Sequence, residues 1–397
     1  MGAVIFMKRW LALFMAVILL FQNVAIVKAE EETASDAAVT IEAPSAVLME
    51  ASTGTILYEK DAHQKLNPAS VTKIMTLLLI FEALDAGKIK MDEEVVTSAH
   101  AKSMGGSQVY LEEGEKQTVE TLIKCIVIAS GNDAAVTMAE RISGSEEEFV
   151  RQMNQRAKQL GMNDTNFIDC CGLTDSPDHY TSAYDVAVMS RELVTNYPKI
   201  YEYSTIWMEN ITHVTNKGSS EFGLTNTNKL LRSYDGCMGL KTGSTSTAKY
   251  CLSATAIRND IELISVILKA PDTKTRFNNA ATLLNYGFGK CALYIDKNDD
   301  KLPMLTVKKG VEDQAGCNYE GEFRYLDTKG QDLSQIKKEI KMSEEITAPV
   351  KKGDVAGKAV YLINGKEIGS VNILFDRDIE EAGFLDCLKE AWEEYCF

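Results

Sequence analysis

The sequence is poor in histidine and has more acidic than basic residues. Its four histidines, His63, His100, His179 and His213, form no HxxxH or HExxH pattern, which disfavours a metal peptidase. Lysine and arginine number 42 against 57 aspartates and glutamates, giving a formal net charge of -15. Nucleic acids and anionic membranes attract basic surfaces, so this charge argues against a nucleic-acid partner. We expect a small or neutral substrate, no metal and no cofactor.

Cysteine is present without a metal-site or disulfide pattern. The nine cysteines are odd in number and scattered, only Cys170 and Cys171 are adjacent, and no CxxC pair occurs. A zinc site or a disulfide framework would show regular spacing. We therefore interpret most of these residues as small side chains of the core.

A long apolar run without charge occurs at the N-terminus. Lys8 and Arg9 precede the run over 10–21, and small side chains at 27 and 29 precede an acidic segment. These features predict a signal peptide over 1–29 and export of the mature protein. An uncleaved anchor helix over 10–27 is the alternative, although two polar residues interrupt it.

Hydrophobic periodicity predicts an α+β domain over 40–290. Alternating residues on both sides of Ser52-Thr53-Gly54 predict a hairpin, and residues 69–84 predict a buried helix because nearly every position is apolar. From Gly239 the period becomes two, and "YCLSATAIR" and "IELISVILKA", joined by Asn259-Asp260, predict a second hairpin. Strands at both ends of a helical middle indicate one sheet that joins the first and last segments.

A polar break at 296–301 precedes a predicted small all-β domain over 298–376, with a hairpin around Asn364-Gly365. Residues 379–397 have helical periodicity and place four apolar side chains on one face: Phe384, Leu388, Trp392 and Tyr395. We expect this amphipathic helix to contact a membrane surface through its apolar side chains. The alternative is a helix that packs on the β domain or on a partner.

The pattern SxxK can join a serine nucleophile to a lysine base, and it occurs at Ser70/Lys73, Ser246/Lys249 and Ser334/Lys337. Ser70 follows Pro68 in the first turn of the predicted buried helix, where backbone N–H groups favour a developing oxyanion. Desolvation there should lower the pKa of Lys73, so that the amine can act as a base. The alternative is a capping serine and a surface lysine. The other two pairs lie in segments predicted to be solvated.

Ser130-Gly131-Asn132 lies between two predicted helices. Gly131 permits a tight turn, so Ser130 and Asn132 can face the same cleft. A hydroxyl there can pass a proton to a leaving amine, and an amide can hold a peptide group. The alternative is that Ser130 or Asn132 caps the following helix.

Lys241-Thr242-Gly243 precedes the second hairpin and is predicted on an edge strand, where an extended peptide can add as another strand. Lys241 and Thr242 offer a cation and a hydroxyl to a substrate carboxylate. Gly243 permits close approach of a substrate backbone. The alternative is a β-turn with an exposed lysine.

The order SxxK, SxN and KTG resembles that of the penicillin-recognising serine enzymes. "NPASVTKIMT" and "DGCMGLKTGSTSTAKYCLSATA" are similar to the low-molecular-mass penicillin-binding proteins that are serine-type D-alanyl-D-alanine carboxypeptidases (peptidase S11-like). "APVKKGDVAGKAVYLINGKEIGSVNIL" is similar to the C-terminal β domain of that family. The resemblance implies a transpeptidase/β-lactamase-like catalytic domain with an antiparallel sheet and helices.

The resemblance also implies a reaction, the removal of the terminal D-alanine from a peptidoglycan stem peptide that ends in D-Ala-D-Ala. Ser70 would attack the carbonyl carbon while Lys73 takes the serine proton. Ser130, assisted by Lys241, would pass a proton to the departing D-alanine. Water would then cleave the acyl-enzyme, and β-lactam antibiotics would acylate Ser70 in place of the substrate.

The remaining motif residues are implied to bind the substrate. Asn132 would hold the acyl part, Lys241 and Thr242 would bind the terminal carboxylate, and Gly243 would border the substrate. The backbone N–H groups of the nucleophile and of Ser244 would form the oxyanion hole. The family also implies a location at the extracytoplasmic face of the bacterial cell membrane or in the cell wall.

Three positions depart from the family. Ser244 stands where many relatives carry an aromatic residue or histidine, Lys249 stands where glycine is usual, and the terminal helix is acidic rather than basic. A β-lactamase of related fold is the nearest alternative, but it needs a deacylating base, and the start of a helix explains the acidic residues 146–148. A non-catalytic cell-wall binding or scaffold protein is the other alternative.

Overall fold

The computed structural model describes residues 39–216, 218–343 and 345–386, together with 388 and 392. The predicted signal peptide over 1–29 lies outside these residues, as does Tyr395. Within the described part of the chain, no helix is both long and apolar enough to span a membrane. The seven cysteines described there are free thiols, and five of them are buried, as expected for core residues.

The first domain has strands near both ends and five consecutive helices in its middle. Its strands are β1 (Ser45–Glu50), β2 (Ile56–Lys60), β3 (Glu94–Val96), β4 (Lys116–Thr118), β5 (Met208–Thr215), β6 (Gly218–Thr225), β7 (Cys237–Thr245), β8 (Lys249–Arg258) and β9 (Ile261–Ala270). Its helices are α1 (Lys73–Asp85), α2 (Ala99–Lys102), α3 (Val119–Val127), α4 (Asn132–Ser143), α5 (Glu146–Gln159), α6 (Ala183–Asn196), α7 (Ile200–Ser204), α8 (Leu230–Ser233) and α9 (Thr273–Lys290).

A five-stranded antiparallel sheet has the order β2-β1-β9-β8-β7. The pairing of β1 with β9 confirms that the sheet joins the first and last segments, and β7 lies at its edge as predicted. Asn259 and Asp260, with φ of 50° and 59°, form the tight turn between β8 and β9. Two further antiparallel strand pairs, β3–β4 and β5–β6, lie outside this sheet.

Helix α1 is buried on all sides, which confirms the prediction from its apolar sequence. Ile74, Leu77 and Ile80 are at most 1% exposed. The α-helix begins later than predicted, at Lys73, because a 3-10 turn over Ala69–Thr72 precedes it. Ala69 has a φ of +49°, outside the helical range, so the α-helix does not extend back to this residue.

The second domain is all-β, as predicted. Its strands are β10 (Ala292–Asp296), β11 (Leu305–Thr306), β12 (Gln314–Ala315), β13 (Cys317–Tyr319), β14 (Phe323–Asp327), β15 (Lys337–Met342), β16 (Val355–Ile363) and β17 (Lys366–Phe375). Four of them form an antiparallel sheet of order β13-β17-β16-β15. The hairpin predicted around Asn364-Gly365 joins β16 to β17.

The boundary between the domains differs from the predicted one. Strand β10 pairs with β14, so the strand pairing of the β domain begins at Ala292 rather than at 298. The polar break contacts the β domain, because the Tyr361 hydroxyl donates to Asp296 Oδ2 at 3.0 Å or Asn298 Oδ1 at 2.7 Å. Hydrogen bonds from the β domain therefore fix this segment.

The predicted helix over 379–397 begins later than expected. Ile379 is 1% exposed and pairs with Val350, and Glu381 pairs with Gly310. Ile379 belongs to the apolar core of the β domain, and this burial holds the segment in an extended conformation. The described residues 384–386, 388 and 392 are helical, and the rest of the predicted helix lies outside the described residues.

Candidate active site

Ser70 lies in the 3-10 turn that leads into α1. The turn is anchored at its start, where the Ala69 N–H donates to Asn67 Oδ1 at 2.9 Å. The positive φ of Ala69 is a strained conformation for a non-glycine residue, and such strain concentrates at functional sites. The N-cap residues of this turn and of α1 are Pro68 and Thr72, so the interpretation of Ser70 as a helix cap is wrong.

Lys73 is fully buried beneath this turn. Its Nζ lies 3.0 Å from Ser70 Oγ, 2.6 Å from Asn132 Oδ1 and 2.8 Å from the Cys171 carbonyl oxygen. Burial lowers the pKa of Lys73, although nearby acidic groups oppose the effect. The amine is thus within reach of the Ser70 hydroxyl, and its neutral form is favoured relative to that of an exposed lysine.

Ser130 lies in the turn before α4, and Asn132, the first residue of that helix, contacts Lys73. Ser130 has a φ of +62°, and its buried Oγ has no hydrogen-bond partner among the described residues. Asn132 Nδ2 donates to the Gly105 carbonyl at 2.7 Å, which leaves Oδ1 facing Lys73. The N-cap residue of α4 is Gly131, and neither Ser130 Oγ nor Asn132 Oδ1 accepts from a backbone N–H of the helix. The capping alternative for these two residues is therefore wrong.

Lys241 and Thr242 lie on edge strand β7 and are 1% and 5% exposed. Lys241 Nζ donates to the Thr242 carbonyl at 3.1 Å, and Thr242 Oγ1 lies 2.6 Å from Thr227 Oγ1. Burial, together with the charges of Lys73 and Arg276, holds the pKa of Lys241 well below its ordinary value. The alternative of a β-turn with an exposed lysine is wrong.

Gly243 has a steric role that the sequence did not predict. A Cβ atom at this position would lie 2.7 Å from the Pro68 carbonyl oxygen and 2.8 Å from the Ser70 backbone nitrogen. Glycine therefore lets β7 approach the turn that carries Ser70. Ser244 follows on β7 and is exposed.

The other two SxxK pairs are not part of this site. Ser246 and Lys249 are exposed around the turn between β7 and β8. Ser334 and Lys337 are exposed in the β domain. Lys249 has a φ of +55°, the left-handed conformation that favours glycine, which is consistent with the glycine usual at this position.

Arg276 is a site residue that the sequence analysis missed. It lies in the first turn of α9 and is 6% exposed, and its Nη1 donates to the carbonyl oxygens of Gly243 at 3.1 Å and Cys251 at 3.2 Å. Burial lowers its pKa to about 10. The available signal was an arginine on the same helical face as buried Ala280 and Leu283.

His179 contacts the 3-10 turn that carries Ser70. It is 1% exposed, and its Nδ1 accepts from the Ile168 N–H at 3.1 Å. Its Nε2 therefore carries the proton of the neutral ring and donates to Thr72 Oγ1 at 2.9 Å. Burial lowers the pKa of His179, so the ring resists the charged form.

No cluster of metal-ligating side chains occurs within the described ranges. The site therefore joins a serine, two buried lysines, a second serine and an asparagine at the meeting point of a sheet edge and a buried helix. This arrangement on an α+β domain defines a serine acyl-transfer enzyme of the penicillin-recognising class.

Comparisons with known proteins lead to a particular family. A family model described as D-alanyl-D-alanine carboxypeptidase matches residues 30–272, and one described as the C-terminal domain of penicillin-binding protein 5 matches residues 295–381. The chain is 41% identical over 390 residues to D-alanyl-D-alanine carboxypeptidase DacF of Bacillus subtilis, covering 98% of this chain and 99% of that one. It is 34% identical over 366 residues to D-alanyl-D-alanine carboxypeptidase DacC of Escherichia coli, covering 89% of each.

Solved structures agree with this assignment. Penicillin-binding protein 5 of Haemophilus influenzae is 31% identical with a TM-score of 0.67, covering 86% of this chain and 98% of that one. Penicillin-binding protein 6B of Escherichia coli is 29% identical with a TM-score of 0.65, covering 84% and 95%. The chain belongs to the D-alanyl-D-alanine carboxypeptidase family, which confirms the resemblance and the fold class expected from the sequence.

Proposed function

We propose that this protein is a serine-type D-Ala-D-Ala carboxypeptidase that removes the terminal D-alanine from peptidoglycan stem pentapeptides through an acyl-enzyme on Ser70. One observation carries the proposal: in a chain of this family, Ser70 Oγ lies 3.0 Å from the amine of fully buried Lys73. A buried amine at hydrogen-bond distance can take the serine proton as the hydroxyl attacks.

Proton transfer to the leaving group falls to Ser130. Its Oγ has no hydrogen-bond partner among the residues described, so the chain leaves the hydrogen-bonding capacity of this hydroxyl unused. Ser130 passes a proton to the nitrogen of the departing D-alanine, with Lys241 supplying a nearby donor. Water then hydrolyses the ester on Ser70. The same attack on a β-lactam opens the ring and leaves its nitrogen attached to the acyl group on Ser70.

Edge strand β7 binds the substrate. The stem peptide adds alongside the strand, and Lys241 and Thr242 attract its terminal carboxylate. Backbone N–H groups of Ser70 and Ser244 hold the oxyanion, since Gly243 lets β7 lie close to the nucleophile turn. Asn132 holds the acyl part.

Structural roles of the nearby carboxylates favour this activity over a β-lactamase. Asp133 accepts from the N–H groups of Val109 and Leu111, and Glu146 accepts from the Cys170 N–H at 3.1 Å and lies 2.8 Å from His100 Nε2. A dedicated deacylating base needs a carboxylate that can hold a water molecule beside the acyl-enzyme. These two carboxylates instead support the fold.

A labelling experiment tests the proposal. The protein is incubated with a fluorescent penicillin and, separately, with a peptide that ends in D-Ala-D-Ala, beside the Ser70→Ala variant and a matched Ser334→Ala control. We expect D-alanine release and a persistent covalent label, both lost in Ser70→Ala and unchanged in Ser334→Ala. Rapid penicillin turnover without D-alanine release would favour a β-lactamase, and the absence of both activities would favour a scaffold.

Export and membrane contact remain predictions of the same proposal. Support for membrane contact comes from four apolar side chains near the C-terminus that are 57–81% exposed: Phe384, Leu385, Leu388 and Trp392. The protein would then act at the extracytoplasmic face of the cell membrane. Sedimentation with lipid vesicles tests the contact, and a chain that stays in the supernatant would argue against it.

A further inference from the structure

The Asp169 carboxylate binds the backbone of the turn that contacts Lys73. Asp169 Oδ1 accepts from the N–H groups of Cys171 at 2.8 Å, of Leu173 at 3.3 Å and of Gly172, and Oδ2 accepts from the Thr174 N–H at 2.8 Å. Four successive backbone donors thus converge on one side chain. This arrangement fixes the peptide planes of the turn and therefore the direction of their carbonyl groups.

The turn makes a direct contact with the proposed base. Its Cys171 carbonyl oxygen accepts from Lys73 Nζ at 2.8 Å. The turn also packs against the nucleophile turn, because a Cβ atom on Gly172 would overlap the Ala69 carbonyl and lie 2.7 Å from Thr72 Oγ1. The position of the Cys171 carbonyl is therefore set by Asp169 on one side and by the Ser70 turn on the other.

We propose that Asp169 is a positioning residue for Lys73: its carboxylate builds the turn that presents the Cys171 carbonyl to Lys73 Nζ, and it places a negative charge close to the amine. The inference rests on the proposed function of Lys73 as the base. It assigns Asp169 no contact with the substrate.

Other charged and titratable groups face the same amine. They are Asp133 on α4, the Cys170 and Cys171 thiols, and Lys241 on β7, while His179 adjoins Asp169. Asp133 and Asp169 both favour the protonated form of Lys73, and Lys241 opposes it. Loss of the Asp169 charge should therefore make the neutral amine more abundant at a given pH.

The test measures the rate of labelling by a fluorescent penicillin as a function of pH on the full-length chain. Asp169→Asn removes the charge and the acceptor for the Thr174 N–H, Asp169→Glu keeps the charge but displaces the oxygens, and Asp178→Asn removes an exposed charge of the same loop. Circular dichroism checks that each variant is folded.

For Asp169→Asn we expect labelling at the pH plateau to slow about 10-fold or more, because the carbonyl that holds Lys73 is misplaced. The acidic limb of the profile should move to lower pH by about half a unit or more, because a neighbouring negative charge is lost. Asp169→Glu should slow labelling at the plateau without moving the acidic limb. Asp178→Asn should change neither the plateau rate nor the pH of the limb.

An acidic limb at the wild-type pH in Asp169→Asn would overturn the inference whatever the rate, since a purely structural aspartate would not move the limb. If Asp169→Asn does not fold, Asp169→Glu decides: unchanged labelling overturns the proposal, and slower labelling at an unmoved limb supports it. Failure of the proposed function is distinguishable, because the wild type would then remain unlabelled or Ser70→Ala would be labelled.

Discussion

Two serine–lysine pairs with the same spacing lie in different surroundings. Ser70 and Ser334 both lie in short 3-10 turns, and a lysine follows each after three residues. Ser70 Oγ lies 3.0 Å from Lys73 Nζ, whereas Ser334 Oγ donates to Asp332 Oδ1 at 2.6 Å. Lys73 is fully buried at the start of α1, while Lys337 is exposed at the start of edge strand β15.

The comparison shows that the spacing alone does not create a catalytic pair. A serine in a 3-10 turn is common to both segments, so the difference lies in what covers the lysine and where the chain continues. After Ser70 the 3-10 turn leads directly into α1, so Lys73, three residues on, returns to the side of the Ser70 hydroxyl. After Ser334 a strand carries the lysine away.

Replacement of the two lysines by arginine should give the largest difference between the pairs. Lys73→Arg should slow penicillin labelling about 1,000-fold, because the guanidinium stays protonated and cannot act as a base. Lys337→Arg should label at the wild-type rate. The measurement is the rate of label formation on folded protein.

Near-normal labelling of Lys73→Arg would rule out Lys73 as the base. Should arginine not fit the buried site, Lys73→Met has a similar length and also lacks a base. It should show the same loss of labelling.

A smaller effect is expected from Gly243→Ala, which tests whether close approach of β7 distinguishes the Ser70 pair. The added methyl group would meet the Pro68 carbonyl at 2.7 Å and the Ser70 nitrogen at 2.8 Å, so β7 should move away from the nucleophile. We expect labelling to fall about 10- to 100-fold, the usual effect of misplacing a reacting group by about 1 Å.

The matched control is Gly223→Ala on β6, where a Cβ atom would first meet Asn210 Oδ1 at 3.5 Å. Labelling of this variant should be unchanged. Equal labelling by both variants would show that the approach of β7 to the Ser70 turn is not needed for acylation.

The smallest expected effect is a change in the free energy of unfolding when buried Lys241 is replaced. Lys241 is 1% exposed, and Lys241→Met should raise the free energy of unfolding by about 1–3 kcal/mol at neutral pH, because an apolar side chain avoids the desolvation of a charge. Lys337→Met, which replaces an exposed lysine, should leave stability unchanged. Chemical denaturation of each variant beside the wild type measures the difference.

The stability that Lys241→Met gains over the wild type should depend on pH. Burial lowers the pKa of Lys241 in the folded protein, so the unfolded chain binds more protons between that pKa and the ordinary value of about 10.4. The free energy of unfolding of the wild type therefore rises relative to that of Lys241→Met as the pH increases through this window. The advantage of Lys241→Met should shrink toward pH 10, and a pH-independent gain would contradict this explanation.

Much of the fold was predictable because it is encoded locally. Alternating residues identified the hairpins, including the turns at Asn259-Asp260 and Asn364-Gly365, and the apolar sequence identified α1. The end of the second domain was predicted less well. The segment around Ile379 has helical periodicity, but burial of Ile379 in the β domain holds it extended.

The motif residues of the candidate site were predictable from the sequence, but the residues that support them were not. Ser70 and Asn132 contact Lys73, and Lys241 lies close to it, while the place of Ser130 in the site stays a prediction. Arg276 was missed, because its segment has no distinctive local pattern.

The sequence by itself determined the periods of the helices and strands, the order of the three motifs and the family, since each of these is a property of neighbouring residues or of their succession. The apolar residues around Lys73 also predicted which SxxK lysine is buried, whereas tertiary structure alone decided which groups hold its amine. The acceptors that hold Lys73 come from Asn132 and Cys171, 59 and 98 positions along the chain. Such contacts depend on the packing of distant elements, and packing removes the water that would otherwise keep the amine charged.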